Sequence, residues 1–207
     1  DGGLIMAIIS NAVTIADAGA FSASLGSMTL IKTLTASSSA NLSFVNGASN
    51  VVLDGTYKQY VFKFYNIHPQ TDDKNFTVNF RDGATNYDAT KTSTYFHVTH
   101  AEGNGSESAA YVTGHDLAQG TGAQILSEGI SNDADHGSSG ELTLFDPANT
   151  TFVKHFICRS NGTRHSNISS DVFVDGYCNV TAAIDAVQFA MSSGNIDSGT
   201  IKMYGIK

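Results

Sequence analysis

Residues 57–67, Tyr-Lys-Gln-Tyr-Val-Phe-Lys-Phe-Tyr-Asn-Ile, are the longest aromatic and β-branched run in the chain. Such side chains fit a pleated surface better than a helix, so the run predicts a strand. With a period of two, Tyr60, Phe62 and Phe64 fall on one face and Tyr57, Val61, Tyr65 and Ile67 on the other. Apolar surface on both faces predicts a strand in the middle of its sheet. Beyond the turn-like stretch 68–74, Phe76, Val78 and Phe80 alternate with Thr77, Asn79 and Arg81. This predicts a second strand with one wet face, paired with the first as a hairpin.

Further strand-like segments occupy 29–35, 40–45, 94–100, 110–117, 140–145, 151–159, 171–179, 184–191 and 200–206, with turn chemistry at Asn46-Gly47 and Asp54-Gly55. Residues 118–137, rich in glycine and aspartate, read as a surface excursion holding one short strand at 124–126. The alanines of 180–191 would also suit a helix, but Val187, Phe189 and Met191 alternate. A strand is expected there, forming a hairpin with 200–207 through Gly194-Asn195 and Ser198-Gly199. The fold class expected is all-β: an antiparallel β-sandwich, jelly-roll-like, with an N-terminal extension. Residues 28–207 are expected to form a single sandwich domain. Residues 1–27, small and apolar, read as an assembly arm, with Leu4, Ile5, Ile8, Ile9, Val13 and Ile15 lying along a neighbouring subunit or a shared axis.

The net charge is −8, with only 11 Lys and Arg together. Phosphate binding needs clustered cations, so nucleic acid is not an expected partner. The apolar run 4–9 falls far short of the ~20 residues of a spanning helix, so no membrane insertion is expected. Only 14% of residues are charged, leaving a surface of hydroxyls and amides suited to a large assembly or an extracellular setting. Cys158 and Cys178 sit on neighbouring predicted strands, where free buried thiols are expected in preference to a disulfide.

No pattern demands catalysis. His97 and His100, three apart on a strand, point to opposite faces and cannot chelate one ion without a bulge. The other histidines stand alone, and no Gly-x-Ser-x-Gly elbow occurs. Asp72, Asp73, Asp82, Asp88 and Glu102 offer carboxylates as any acidic set of turns would. Asp133 and Asp135 stand close enough to share calcium, although a solvated acidic loop is the expected reading. No metal or cofactor is expected. Asn-x-Ser/Thr triplets occur at several positions, as a chain so rich in these residues would produce by chance. What remains is surface recognition: Tyr87, Asp88, Tyr95, His97, His100, Asn104 and Tyr111 combine aromatic rings with polar neighbours and suit a sugar or a wet protein interface. The competing reading has these tyrosines capping the core.

Several stretches bear a family resemblance. Residues 57–69, 76–83 (Phe-Thr-Val-Asn-Phe-Arg-Asp-Gly), 87–95, 151–156 and above all the closing Met191-Ser-Ser-Gly-Asn-Ile-Asp-Ser-Gly-Thr-Ile-Lys-Met-Tyr-Gly-Ile-Lys207 resemble virion structural proteins of marine tailed bacteriophages, of the cyanophage and pelagiphage kind. The opening Met6-Ala-Ile-Ile-Ser-Asn-Ala resembles starts in that group, which leaves residues 1–5 as an upstream addition. The resemblance implies a place, the virus particle, and no catalytic motif. It leads to the expectation of a tail-fibre, receptor-binding or capsid-decoration protein, a homo-oligomer and in particular a trimer. Its expected partners are other virion proteins and host-surface glycans. Two alternatives stay open: a carbohydrate-binding or carbohydrate-active sandwich, and a secreted protein polymerising by N-terminal strand donation.

Overall fold

The computed structural model describes residues 8–10, 13–17, 20–21, 28–83, 85–105 and 107–207. Among them there is no helix, and every strand pairing is antiparallel. Strands β1 (Ile8–Ser10), β2 (Val13–Asp17) and β3 (Ala20–Phe21) pair with one another as a small sheet. Ile8, Ile9, Val13 and Ile15 of the expected arm lie on β1 and β2, while Leu4 and Ile5 fall outside the described residues.

The remaining strands are β4 (Met28–Thr35), β5 (Leu42–Val45), β6 (Gln59–Pro69), β7 (Lys74–Arg81), β8 (Lys91–Ala101), β9 (Ser108–Tyr111), β10 (Gln124–Ile130), β11 (Ser138–Phe145), β12 (Lys154–Arg164), β13 (Ile168–Cys178), β14 (Ala186–Met191) and β15 (Ile196–Ile206). A wide part of the sheet runs β4-β15-β6-β11-β12-β13-β8-β9, and a narrow part runs β10-β7-β14-β5. They join where Ile130 of β10 meets Arg164 of β12. A bridge between Ser39 and Ile196 ties the far side, so the sheet is nearly closed into a barrel.

The core fills the space between the two parts. Phe62 of β6 meets Phe44 of β5 at 5.3 Å and Phe189 of β14 at 5.6 Å between ring centroids. Phe64 meets Phe76 at 5.2 Å, and Phe80 meets Phe156 at 5.3 Å. All seven rings are wholly buried, and edge-to-face or tilted pairs of this kind add to the stabilisation from area alone. Cys158 and Cys178 are buried free thiols in the same interior.

The expected hairpins are corrected. The strand at 59–69 pairs with β15 and β11, and β7 pairs with β10 and β14. The stretch 70–73 carries the chain across the core, so Phe64 and Phe76 face each other instead of lying side by side. Likewise β14 and β15 do not form a hairpin: β14 lies between β7 and β5, β15 between β4 and β6. Alternation fixes which face of a strand turns inward but not which strand lies beside it. The expected strand 110–117 ends at Tyr111, because Val112 bonds back to Tyr95 and a turn follows. The short strand expected at 124–126 extends to Ile130. Its two register irregularities and the left-handed Gly129 (φ +54°) hide the alternation.

On β6, Phe64 and Ile67 are both buried although three residues apart. Asn66 between them has φ +50°, and the register against β11 shifts at this level. The extra residue turns Ile67 back into the core and leaves Tyr65 outside, 41% exposed. Gly199 of β15 lies opposite at φ +125°, where a Cβ would stand 2.8 Å from the Asn66 carbonyl oxygen. Only glycine allows that approach.

Candidate functional site

The outer face of the wide part carries an ordered set of exposed and half-buried side chains. Cross-strand register sets Tyr111 (β9), Phe96 (β8), Phe173 (β13), Arg159 (β12), Glu141 (β11), Lys63 (β6) and Lys202 (β15) in one transverse row. These seven strands span about 29 Å at ~4.8 Å per step. Phe96 and Phe173 lie 6.0 Å apart, and the Arg159 guanidinium sits 4.9 Å over the Phe173 ring. Arg159 also donates to both oxygens of Asp171, and Lys63 lies 3.3 Å from Glu141. Tyr111 donates to Asp116 at 2.5 Å. Phe96, Val98 and Tyr111 are exposed apolar side chains at the β8–β9 end, Tyr111 being half exposed, while the half-exposed Ile157 lies two strands away on β12.

Two depressions adjoin on this face and share Ser139. One, of about 360 Å³, lies among Tyr65, Lys63, Glu141 and Arg159. The other, of about 450 Å³, lies at the Asn66 bulge and is walled by Asn66, Asn161, Thr163, His68 and Asp135. The His68 ring is fixed there by a 3.1 Å contact from Nδ1 to the His136 carbonyl oxygen. A third depression, apolar and of about 480 Å³, lies between Tyr177, His155 and Ile157.

A second polar assembly lies inside. Glu128 of β10 is buried, with His97 Nδ1 at 2.5 Å, Arg164 at 3.0 Å, Ser170 Oγ at 3.2 Å and His115 Nδ1 at 3.3 Å. Burial alone would raise its pKa, but the His115 and His97 imidazoles and the Arg164 charge outweigh burial and hold it at about 2. The carboxylate therefore stays ionised inside the protein. Lys91 is also wholly buried: burial pushes its pKa down to about 8, and its ammonium donates to Asn79 Oδ1 and the Ala89 carbonyl, both at 2.6 Å. Among the described residues no group of three or more His, Cys, Asp or Glu is placed to hold a metal ion.

The structure separates the seven residues singled out from the sequence. Tyr111 and His100 belong to the outer face, His100 lying 3.5 Å from Glu107. Tyr95 and His97 point inward; Tyr95 is wholly buried, 4.8 Å ring to ring from His115. Asn104 (φ +56°) sits in the turn after β8. Tyr87 and Asp88 lie on the loop before β8, Tyr87 beneath the Arg81 guanidinium at 5.9 Å. They do not form one site. Tyr65, Lys63, Arg159, Phe173 and Lys202 were not singled out, because only register brings them together. The available signal was the charge–aromatic alternation Lys63-Phe-Tyr65 on a strand already identified.

Comparison with protein-family models, curated proteins and solved structures finds no match to this chain.

Proposed function

We propose that the chain is a non-enzymatic structural component of a virus particle, a tail-fibre or receptor-binding module or a capsid decoration, that meets host-surface glycans. In this reading residues 28–207 are a jelly-roll-like sandwich, residues 1–27 attach it to the particle, and the assembly is a homotrimer. The observation behind it is the outer face of the wide sheet, where exposed rings stand beside amides, hydroxyls and fixed charges. Sugars present apolar ring faces and many hydroxyls, and such a surface offers partners to both. The particle itself comes from the family resemblance. Antibody raised against the purified chain is expected to decorate intact phage particles at the tail or capsid in electron microscopy. Absence of label from particles that carry the gene rejects the reading. Incubation with host-surface polysaccharide is expected to leave its chain length unchanged, and shortened chains favour the carbohydrate-active alternative.

A second reading concerns the apolar end of the same face. Phe96, Val98 and Tyr111 suit a subunit contact, since contiguous exposed apolar area marks partners. The two uses are compatible, because the depressions at Tyr65 and Asn66 lie at the other end of the row.

A further inference from the structure

Lys202 and Lys63 stand directly opposite each other on the outer face of the paired strands β15 and β6. Like charges in this arrangement destabilise a sheet, so their presence calls for a compensating partner. Lys63 has one in Glu141, 3.3 Å away. Lys202 has no carboxylate within ion-pair distance among the described residues, and its ammonium lies 5.7 Å over the exposed Tyr65 ring. Arg159 nearby is paired with Asp171, so among the described residues Lys202 carries the one unbalanced positive charge of this group, on a chain of net charge −8. Beside it the Asn66 bulge opens the second depression, walled by amide, hydroxyl and imidazole groups and by the exposed carboxylate of Asp135.

We infer that this double depression binds an acidic glycan: the carboxylate or sulfate of one sugar unit faces Lys202, that unit lies along Tyr65, and the hydroxyls of the next unit reach Asn66, Ser139 and Asn161. The inference rests on the glycan-contacting reading of the outer face and specifies its ligand. Charge complementarity selects the acidic unit. An anion at Lys202 relieves the repulsion with Lys63, and the interaction weakens with salt because the site is open to solvent. The amides and hydroxyls at the bulge supply the directional contacts that separate a sugar from any other polyanion. The left-handed Asn66 and its opposing Gly199 hold that section in place, since the backbone there admits no ordinary residue at position 199.

The test is calorimetric titration of the full chain with oligogalacturonate, malto-oligosaccharide of equal length, and polyglutamate, at low and high salt. Oligogalacturonate is expected to bind more tightly than the other two, with affinity falling as salt rises. Lys202→Ala and Tyr65→Ala are each expected to weaken binding about tenfold. Both positions are on the surface, and circular dichroism of the variants checks that they fold. Phe96→Ala, at the other end of the row, is expected to leave binding unchanged. Binding of malto-oligosaccharide as tight as oligogalacturonate and indifferent to Lys202→Ala overturns the acidic specificity but leaves the glycan reading standing. Equal binding of polyglutamate reduces the site to a plain cationic patch and overturns the inference. Failure of both sugars to bind removes the glycan reading and the inference together.

Discussion

Phe62 and Phe80 are wholly buried in the shared aromatic core, and truncation leaves a void the surrounding sheet cannot close. Phe62→Ala and Phe80→Ala are each expected to cost ~3–5 kcal/mol in urea unfolding, while Tyr87→Ala, which removes a half-buried ring beneath Arg81, is expected to cost under ~1 kcal/mol. Glu128 gives a prediction in pH. Its folded pKa of about 2 lies below the ordinary 4.5, so the ionised cluster contributes stability in full above pH 4.5. That contribution is lost as pH falls from 4.5 towards 2. Glu128→Gln is expected to remove about 3 kcal/mol at pH 7, because His97, His115 and Arg164 lose their shared anion, and to flatten the acid limb in that window. An unchanged acid limb in the variant means another carboxylate sets it. Residue identity alone did not reveal this cluster. On β8 the usual pattern is inverted: Lys91, Ser93, Tyr95, His97 and Thr99 face inward, while Phe96 and Val98 face out. Alternation was visible at 94–100, but with polar partners waiting inside, hydrophobicity did not tell which side was the interior.

At the scale of the element, most strands were legible from period-two runs, and their ends were not. Most of the run at 57–67 lies on β6, a strand between two others as expected, but its second face carries Lys63 and the exposed Tyr65, and the Asn66 bulge moves Ile67 to the core side. What escaped was pairing, because a strand's pattern says nothing about connections that cross the core. Close approach of backbone to side chain was equally hidden. A Cβ at Gly176 of β13 would stand 2.6 Å from the Thr92 carbonyl oxygen and 2.7 Å from the Phe156 ring. Gly176→Ala is expected to lose about 1–3 kcal/mol, whereas Gly103→Ala, with open space around it, is expected to stay within about 0.5 kcal/mol of the parent. Thermal melts of the pair decide it, and equal melting temperatures mean that the sheet gives way at Gly176.

For the whole molecule, the sequence indicated an all-β architecture but not the near closure of the sheet, which depends on the contacts Ile130–Arg164 and Ser39–Ile196 between distant residues. The candidate face is likewise a product of seven strands in register. Light scattering of the native chain, with and without residues 1–27, addresses assembly. A trimer that survives truncation and falls to monomer with Phe96→Asp places the subunit contact on the apolar end of the outer face. A monomer that forms larger assemblies only with residues 1–27 present supports strand donation instead. The position of β15 has a further consequence for synthesis. It sits between β4 and β6, and all the other strands of the large sheet leave the ribosome before it. Until residues 196–206 arrive, β6 presents an uncovered edge and β4 has no neighbour, so the nascent chain passes through a sticky, half-assembled stage that a chaperone or a crowded polysome would meet first.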